Sequence, residues 1–395
     1  MKIYFAPCGI GLGHVGRCIP IAKRLAKENA EIIFSTYREG ISYVEQEKFP
    51  LIRAPPIGFQ VKPDGSVDFK HTAINPGPFL ALFTLLKQVG AELKSIGSIR
   101  PDVVVSDSRA SPLMAARMLG VPRICILNQF QMRVPRKKRF LRLARLAESI
   151  ALTFIGETWT MGNNVLIPDF PPPYTICEGN LVIPKAYRKR VKLIGPILPV
   201  HPNELPSKEK LREKLNLPKN KTFIFVPISG PTTEKAFVTA VLSKILLDFP
   251  KDFEIVVSYG YASADTRPTR HDNVTIYKWL PNRFEYLKAC DIAIGRAGHG
   301  TITQCICYGK PMIIIPTPGH TEQLTNARQA KNLGVARIVL QEMLSKENLL
   351  KNVQQLLQPK IQHRAEEIQK EALKHDGLET VAKEIMLAAK NEQVF

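Results

Sequence analysis

With 395 residues, 45% of them hydrophobic, the chain is too long for one ordinary core and fits two domains of usual size. No run approaches the roughly 18 apolar residues of a membrane-spanning helix, and the N-terminus lacks a signal-peptide layout, so a soluble or peripheral protein is expected. The formal net charge of +20 favours anionic partners: nucleic acid, anionic lipid or an acidic substrate.

The chain opens on a β-branched and aromatic run, Lys2 to Ala6, that predicts a strand. It ends in Gly9-Ile10-Gly11-Leu12-Gly13-His14-Val15-Gly16-Arg17, ahead of a helix expected over Cys18 to Glu28. A glycine-rich turn after a first strand is common to every dinucleotide-binding fold. Here His14 and Arg17 stand where small residues would pack, and the next strand, Glu31 to Ser35, ends without an acidic ribose clamp. A histidine on that turn would instead face a cleft between domains.

A proline-bearing loop (59–79) leads into an amphipathic helix over Phe79 to Leu93, then a strand over Asp102 to Ser106 that delivers Asp107. A helix over Pro112 to Leu119 and a strand over Arg123 to Leu127 follow. From Ser108 to Ala147 there is no acidic residue, while Arg133, Arg136, Lys137, Lys138, Arg139 and Phe140 crowd together. That segment reads either as a basic, leucine-bearing surface lying on anionic membrane or as a solvated basic face.

The proline-dense stretch Gly195 to Pro202 suits a semi-rigid linker. Beyond it a second strand series runs through Phe223 to Pro227, Glu254 to Ser258, Val274 to Tyr277, Asp291 to Gly295, Met312 to Pro316 and Val335 to Val339, and a final helical stretch covers Pro359 to Lys390. Strands alternating with helices predict an α/β protein of two doubly wound, Rossmann-like domains facing a cleft. The division is a first domain at 1–195, a linker at 196–203, a second domain at 204–370 and a C-terminal helix at 371–395. The seven cysteines lie mostly in apolar patterns, and Cys305-x-Cys307 lacks the paired spacing of a zinc site, so buried thiols in a reducing, cytosolic compartment are expected.

Within the second series, Arg296-Ala297-Gly298-His299-Gly300-Thr301 joins a strand to a helix and offers free amides where a diphosphate can sit. Together with Trp279-Leu280-Pro281-Asn282, Gly309-Lys310-Pro311 and Glu322-Gln323, this segment resembles the nucleotide-sugar signature of GT-B fold glycosyltransferases, both UDP-glycosyltransferases and the MurG-like family. The resemblance implies that the Gly13-His14 pair carries the general base, His14, with Asp107 as its partner. The rival readings are a turn histidine bonded to backbone and a helix N-cap. It implies that Trp279 stacks on uracil and the Leu280 amide reads the base edge. Ser229 and Gly230 would offer donors to the phosphates. Gly13 is placed on the donor side too, and Gly298, His299, Gly300 and Thr301 would grip the diphosphate beside Arg296. Glu322 and Gln323 would contact the sugar. Gln304 departs from the pattern, standing where most relatives carry a glutamate that binds both ribose hydroxyls.

The expectation is therefore an inverting hexosyltransferase using a UDP-sugar, without metal or cofactor. Its acceptor is a hydroxyl, lipid-linked or otherwise, at the inner face of an anionic membrane, with no nucleic acid partner. The alternatives are a nucleotide-sugar 2-epimerase of the same fold and a non-catalytic, basic nucleic-acid-binding or scaffold protein.

Overall fold

The computed structural model describes residues 1–57, 62–66, 77–130, 157–160, 164–181, 183 and 185–390. In the first half β1 (Lys2–Pro7), β2 (Glu31–Thr36), β3 (Leu51–Arg53), β4 (Val103–Asp107), β5 (Arg123–Ile126), β6 (Val165–Ile167) and β7 (Val191–Leu193) form one parallel sheet. Its order is β3-β2-β1-β4-β5-β6-β7. Both faces are covered, which explains why the strands read as unbroken apolar runs rather than alternating ones. Ile3 and Phe5 pack towards α1 (Gly13–Ala26), while Tyr4 and Ala6 meet α3 (Gly77–Ile99) and α4 (Ala110–Met118) on the other side. Between β2 and β3 lies α2 (Glu39–Gln46).

The second half begins with α5 (Lys208–Lys214) and builds its sheet from β8 (Thr222–Pro227), β9 (Phe253–Ser258), β10 (Thr269–His271), β11 (Val274–Tyr277), β12 (Ile292–Gly295), β13 (Met312–Ile314) and β14 (Ala336–Ile338). The order is β10-β11-β9-β8-β12-β13-β14, with β10 alone antiparallel. The helices are α6 (Thr232–Leu246), α7 (Arg283–Ala289), α8 (His299–Cys307), α9 (Thr321–Asn332), α10 (Lys346–Leu356), α11 (Pro359–Ala372) and α12 (Gly377–Lys390). The fold is α/β, with two doubly wound sheets. Each reverses direction once, between β1 and β4 and between β8 and β12, and the crevice at such a reversal is where ligands bind.

Several boundaries differ from the sequence reading. Helix α1 begins at Gly13 rather than near Cys18, because burial of Val15 in the first core extends the apolar stripe backwards through the turn. Strands β3, β6 and β7 span three residues each, too short to show a period. The final helical stretch is broken. Ala365, Ile368 and Ala372 of α11 belong to the second core, whereas Val381, Ala382, Ile385 and Ala389 of α12 belong to the first. Phe170 and Ile176, just after β6, cross the other way into the second core. The halves are thus stitched in both directions. The basic block Arg133 to Phe140 lies outside the described residues.

Where α12 begins, the Gly377 amide donates to the Pro196 carbonyl at 3.2 Å. A Cβ on Gly377 would stand 2.2 Å from the Gly195 carbonyl oxygen, and Gly195 itself holds φ +84 against His375. Gly377→Ala is expected to destabilise the protein by roughly 1–3 kcal/mol through this backbone clash. Urea denaturation reads the loss, and limited trypsin digestion near Lys374 reads release of α12. An unchanged midpoint would mean that the crossing has slack.

Candidate active site

The reversal of the first sheet puts β1 beside β4 with Pro7 level with Asp107. The turn after β1 therefore delivers α1 over the end of β4. His14, the second residue of α1, places Nδ1 2.8 Å from Asp107 Oδ1. Arg17, one turn on, binds the same carboxylate through Nε to Oδ2 and through Nη2 to Oδ1 at 2.5 Å. Asp107 is fully buried. Burial pushes its pKa up, but Arg17 and His14 outweigh that and hold the carboxyl far below the usual range. An ionised carboxylate only accepts hydrogen bonds, so the proton of the contact sits on His14 Nδ1. Arg17 Nη2, 3.1 Å from the same nitrogen, is then a neighbour and not a donor to it. In the neutral ring Nε2 is then the nitrogen that can accept a proton, the one a general base would use.

The pair continues across the cleft. Arg17 Nη2 donates to Asn128 Oδ1 at 3.1 Å, and Asn128 Nδ2 donates to Glu322 Oε1 at 2.8 Å. Glu322, at the start of α9, is thereby tied to His14 by a chain of side chains. Sequence reasoning missed Asn128. Its signal is the same as that of Asp107, a polar residue just past the C-terminal end of a buried strand.

On the other wall, Ser229 and Gly230 follow β8 and Gly298 precedes α8. Ser229 Oγ and Thr301 Oγ1 lie 3.1 Å apart, bridging the two turns. The amides of Thr301 and Ile302 turn back to the Gly298 carbonyl. Those of His299 and Gly300 have no protein acceptor among the described residues, so the positive end of α8 opens towards the cleft. Gly11 (φ +67) lets the first-domain turn approach this wall, since a Cβ there would meet the Pro231 nitrogen at 3.3 Å. Gly13, His14, Ser229, Gly230, Trp279, Leu280, Arg296, Gly298, His299, Gly300, Thr301, Gln304, Glu322 and Gln323 all line one cavity of about 260 Å³. Asp107 stands behind His14, outside that lining.

Several of these residues have occupations that the sequence did not reveal. Arg296 turns its guanidinium to Gln341 Oε1 at 3.0 Å and to the Thr317 hydroxyl, and burial lowers its pKa to about 10. Gln323 accepts from the Thr317 amide at 3.0 Å and donates to buried Glu234 at 3.0 Å. Both side chains meet at Thr317, which ties the turn before α8 to the start of α9. Gln341 also donates to the Asp64 carbonyl at 2.9 Å, so a turn of the first half rests on the same brace. Trp279 meets Tyr43 of α2 edge-on, with centroids 5.7 Å apart, and Leu280 is buried. Gln304 accepts from Arg283 Nη1 at 3.1 Å.

His299 Nε2 stands 3.0 Å from Asp169 Oδ2, and Cys177 brings its sulfur within 4.8 Å of that pair. Asp169 already accepts the amides of Phe170, Ile176 and Cys177, and burial raises the Cys177 thiol well above its ordinary pKa. A neutral thiol beside a carboxylate already accepting three amides is a poor set of metal ligands, and the His299 and Asp169 side chains meet here as a polar contact between the two halves.

Residues 223–385 match the glycosyltransferase family 28 C-terminal domain. An "Uncharacterized glycosyltransferase" of Methanosarcina mazei is 28% identical over 390 residues, covering 96% of this chain and 97% of that protein. The chain is a glycosyltransferase of the GT-B fold. Over 147 residues it is 31% identical to the UDP-N-acetylglucosamine--N-acetylmuramyl-(pentapeptide) pyrophosphoryl-undecaprenol N-acetylglucosamine transferase of Thermosipho africanus, covering 37% of this chain and 42% of that one. The crystal structure of the glycotransferase of kitacinnamycin superposes with a TM-score of 0.65 at 18% identity, covering 98% of each chain, a likeness of fold.

In this GT-B glycosyltransferase the Asp107 pair titrates in a defined direction. Its folded pKa lies below the unfolded value of about 3.9, so the stabilisation is fully present above that pH and is lost as pH falls through the folded value. Asp107→Asn leaves Arg17 without its counter-charge and is expected to cost roughly 3–5 kcal/mol near neutral pH. Comparing the variant with wild type by denaturant unfolding should show that gap narrowing at the acid end. A gap independent of pH would show that the carboxylate charge is not what stabilises the fold.

Proposed function

We propose that this glycosyltransferase moves a hexose, of the glucose or N-acetylglucosamine type, from a UDP-sugar to an acceptor hydroxyl by one displacement with inversion. The observation that carries the reading is the His14 and Asp107 pair, set across the cleft from the open amides of α8. His14 Nε2 takes the acceptor proton as the acceptor oxygen bonds to the anomeric carbon. The bond from that carbon to the β-phosphate oxygen breaks, and its electron pair leaves with UDP. The imidazolium so formed is stabilised by ionised Asp107. The amides of His299 and Gly300 and the Ser229 and Thr301 hydroxyls face the charge that grows on the diphosphate. Arg17, Arg283 and Arg296 against Glu322 give the cleft wall a basic balance that suits a nucleoside diphosphate. The reaction calls for no metal or cofactor beyond the donor, and for no nucleic acid.

The acceptor we infer is lipid-linked, met at the cytoplasmic face of the membrane. Leu82, Phe83 and Leu86 project from α3 at 54%, 65% and 56% exposure, a small apolar patch on the acceptor-side half. The name of the Thermosipho relative points to UDP-linked N-acetylglucosamine and an undecaprenyl diphosphate acceptor for that enzyme.

The test is UDP-sugar binding and UDP release by wild type and His14→Ala. The variant should keep its affinity for the donor while release of UDP falls roughly 100- to 10,000-fold. Equal rates in both would remove His14 from the chemistry. Absence of any saturable nucleotide-sugar binding would favour a non-catalytic role.

A further inference from the structure

His299 brings a second imidazole to the cleft, on the wall across from His14, and the chemistry above uses its amide but not its ring. It is the first residue of α8, and its own amide is one of the two that open towards the cleft. The side chain is only 4% exposed, and Nε2 stands 3.0 Å from Asp169 Oδ2 with no other partner among the described residues. Asp169 follows β6 in the first half and is fully buried. Burial pushes its pKa up, but His299 and the Cys177 amide outweigh that and hold the carboxyl below its ordinary value. The chain around Asp169 is anchored on the same turn. Phe170 and Ile176 sit in the second core, and Asn180 Nδ2 donates to Asn326 Oδ1 at 3.2 Å, whose Nδ2 donates to the Ala297 carbonyl at 3.3 Å. The first half therefore holds the turn before α8 at two points, Ala297 and His299.

An ionised carboxylate only accepts, so the proton of the Asp169 contact belongs on His299 Nε2. In the neutral ring Nδ1 is then the nitrogen that can accept a proton. It is also the ring nitrogen nearer its own backbone, beside the open amide, and it makes no hydrogen bond among the described residues. The other ionisable groups around the cavity are His14 and Arg17 of α1, Tyr43 of α2, Arg283 of α7, Arg296 before α8, and His320 and Glu322 at the start of α9. Cys177, on the Asp169 side, is kept a neutral thiol by burial. In the empty cleft the arginines oppose a charge on His299, and a diphosphate on the α8 amides reverses that balance. A neutral ring would turn a lone pair to the phosphate oxygens, whereas an imidazolium turns a charged donor to them.

We propose that His299, held by Asp169 of the other half, takes up a proton as the diphosphate binds and becomes a cationic side-chain donor to the leaving group beside the α8 amides. The inference rests on the UDP-sugar reading. The proton comes from solvent as the donor binds and returns to it when UDP leaves, so no further bond forms or breaks in the displacement. Asp169 is a positioning residue: it fixes the tautomer and so decides that Nδ1 must be protonated before it can donate.

Isothermal titration of the full chain with UDP, in two buffers of different ionisation enthalpy, counts the protons exchanged. At about pH 7.5 the second phosphate ionisation, with a pKa of about 6, is largely complete and contributes little. Wild type should take up roughly half a proton or more per UDP bound, and His14→Ala should do the same. His299→Gln keeps a donor for Asp169 but cannot titrate. It should bind UDP about tenfold more weakly, the size of one charge-assisted hydrogen bond, with no net uptake. Asp169→Asn can donate to Nε2 and let the neutral ring carry its proton on Nδ1, so UDP should still bind while uptake falls. Saturable UDP binding without proton uptake in wild type, or undiminished uptake in His299→Gln, overturns this inference and leaves the UDP-sugar reading standing. Uptake that disappears in His14→Ala assigns the proton to His14 and overturns it as well. Undiminished uptake in Asp169→Asn overturns the part given to Asp169. Binding of no UDP overturns both readings. If Asp169→Asn does not fold, the comparison of wild type with His299→Gln decides.

Discussion

The ionised carboxylate of Asp107, buried at the reversal point of the first sheet, is the constraint on which the site depends. An uncompensated charge there would be too costly, so the residue fixes its surroundings: Arg17 must reach it, and α1 must start early enough to bring both His14 and Arg17 over β4. Two residues three apart on one helix can meet one carboxylate because they share a face of it. The early start of α1 in turn requires the glycine-broken turn between Gly9 and Gly13. A Cβ at Gly9 would lie 1.8 Å from the Tyr37 carbonyl oxygen. The turn motif, the helix register and the orientation of the His14 ring are consequences of one buried charge.

Much of this was legible in the sequence because it depends on local pattern. Apolar runs mark both sheets, and polar residues just beyond a strand mark the cleft, which is how His14, Asp107 and the turn at Gly298 stand out. What stayed hidden depends on the partner each side chain finds. Arg296 looks like a phosphate ligand by its position, yet its guanidinium is taken by Gln341, some 45 residues on, and by Thr317. Gln323 sits beside Glu322 in the chain, but it faces buried Glu234 while Glu322 faces Asn128. Adjacent residues on a helix point about 100° apart, so the same motif supplies one group to the cleft and one to the scaffold. The break between α11 and α12 was equally obscure. Both halves carry similar charged, amphipathic composition, and only the identity of the core each one joins separates them.

The first half buries two carboxylates with cationic partners: Asp107 with Arg17, and Glu92 with Arg109, the Glu92 carboxylate also accepting from Tyr4 and Ser35, while Arg109 Nε has no partner among the described residues. Such networks hold side chains in one arrangement. In the second half Arg212 pairs with Asp291, but three other buried or half-buried cations have no carboxylate within ion-pair distance among the described residues. Arg283 has an amide for a partner, Arg296 an amide and a hydroxyl, and Lys235 two carbonyl oxygens at 2.7 Å, with burial drawing its pKa down to about 8. A wall built this way favours an anion near the open end of α8.

Glu322 is where these two economies meet. Without a ligand its carboxylate takes the Asn128 amide, and through Asn128 it joins the network that orients His14. Because Asn128 also accepts from Arg17, Glu322 is joined to His14 through three side chains, Asn128, Arg17 and Asp107. The coupling is local and polar. It differs from closure of the whole cleft, which the crossings at Gly377 and at Phe170 restrain by anchoring each half in the core of the other. The cleft is thus lined by a polar network that runs from one half to the other, in a protein whose halves are already tied together by their own chain.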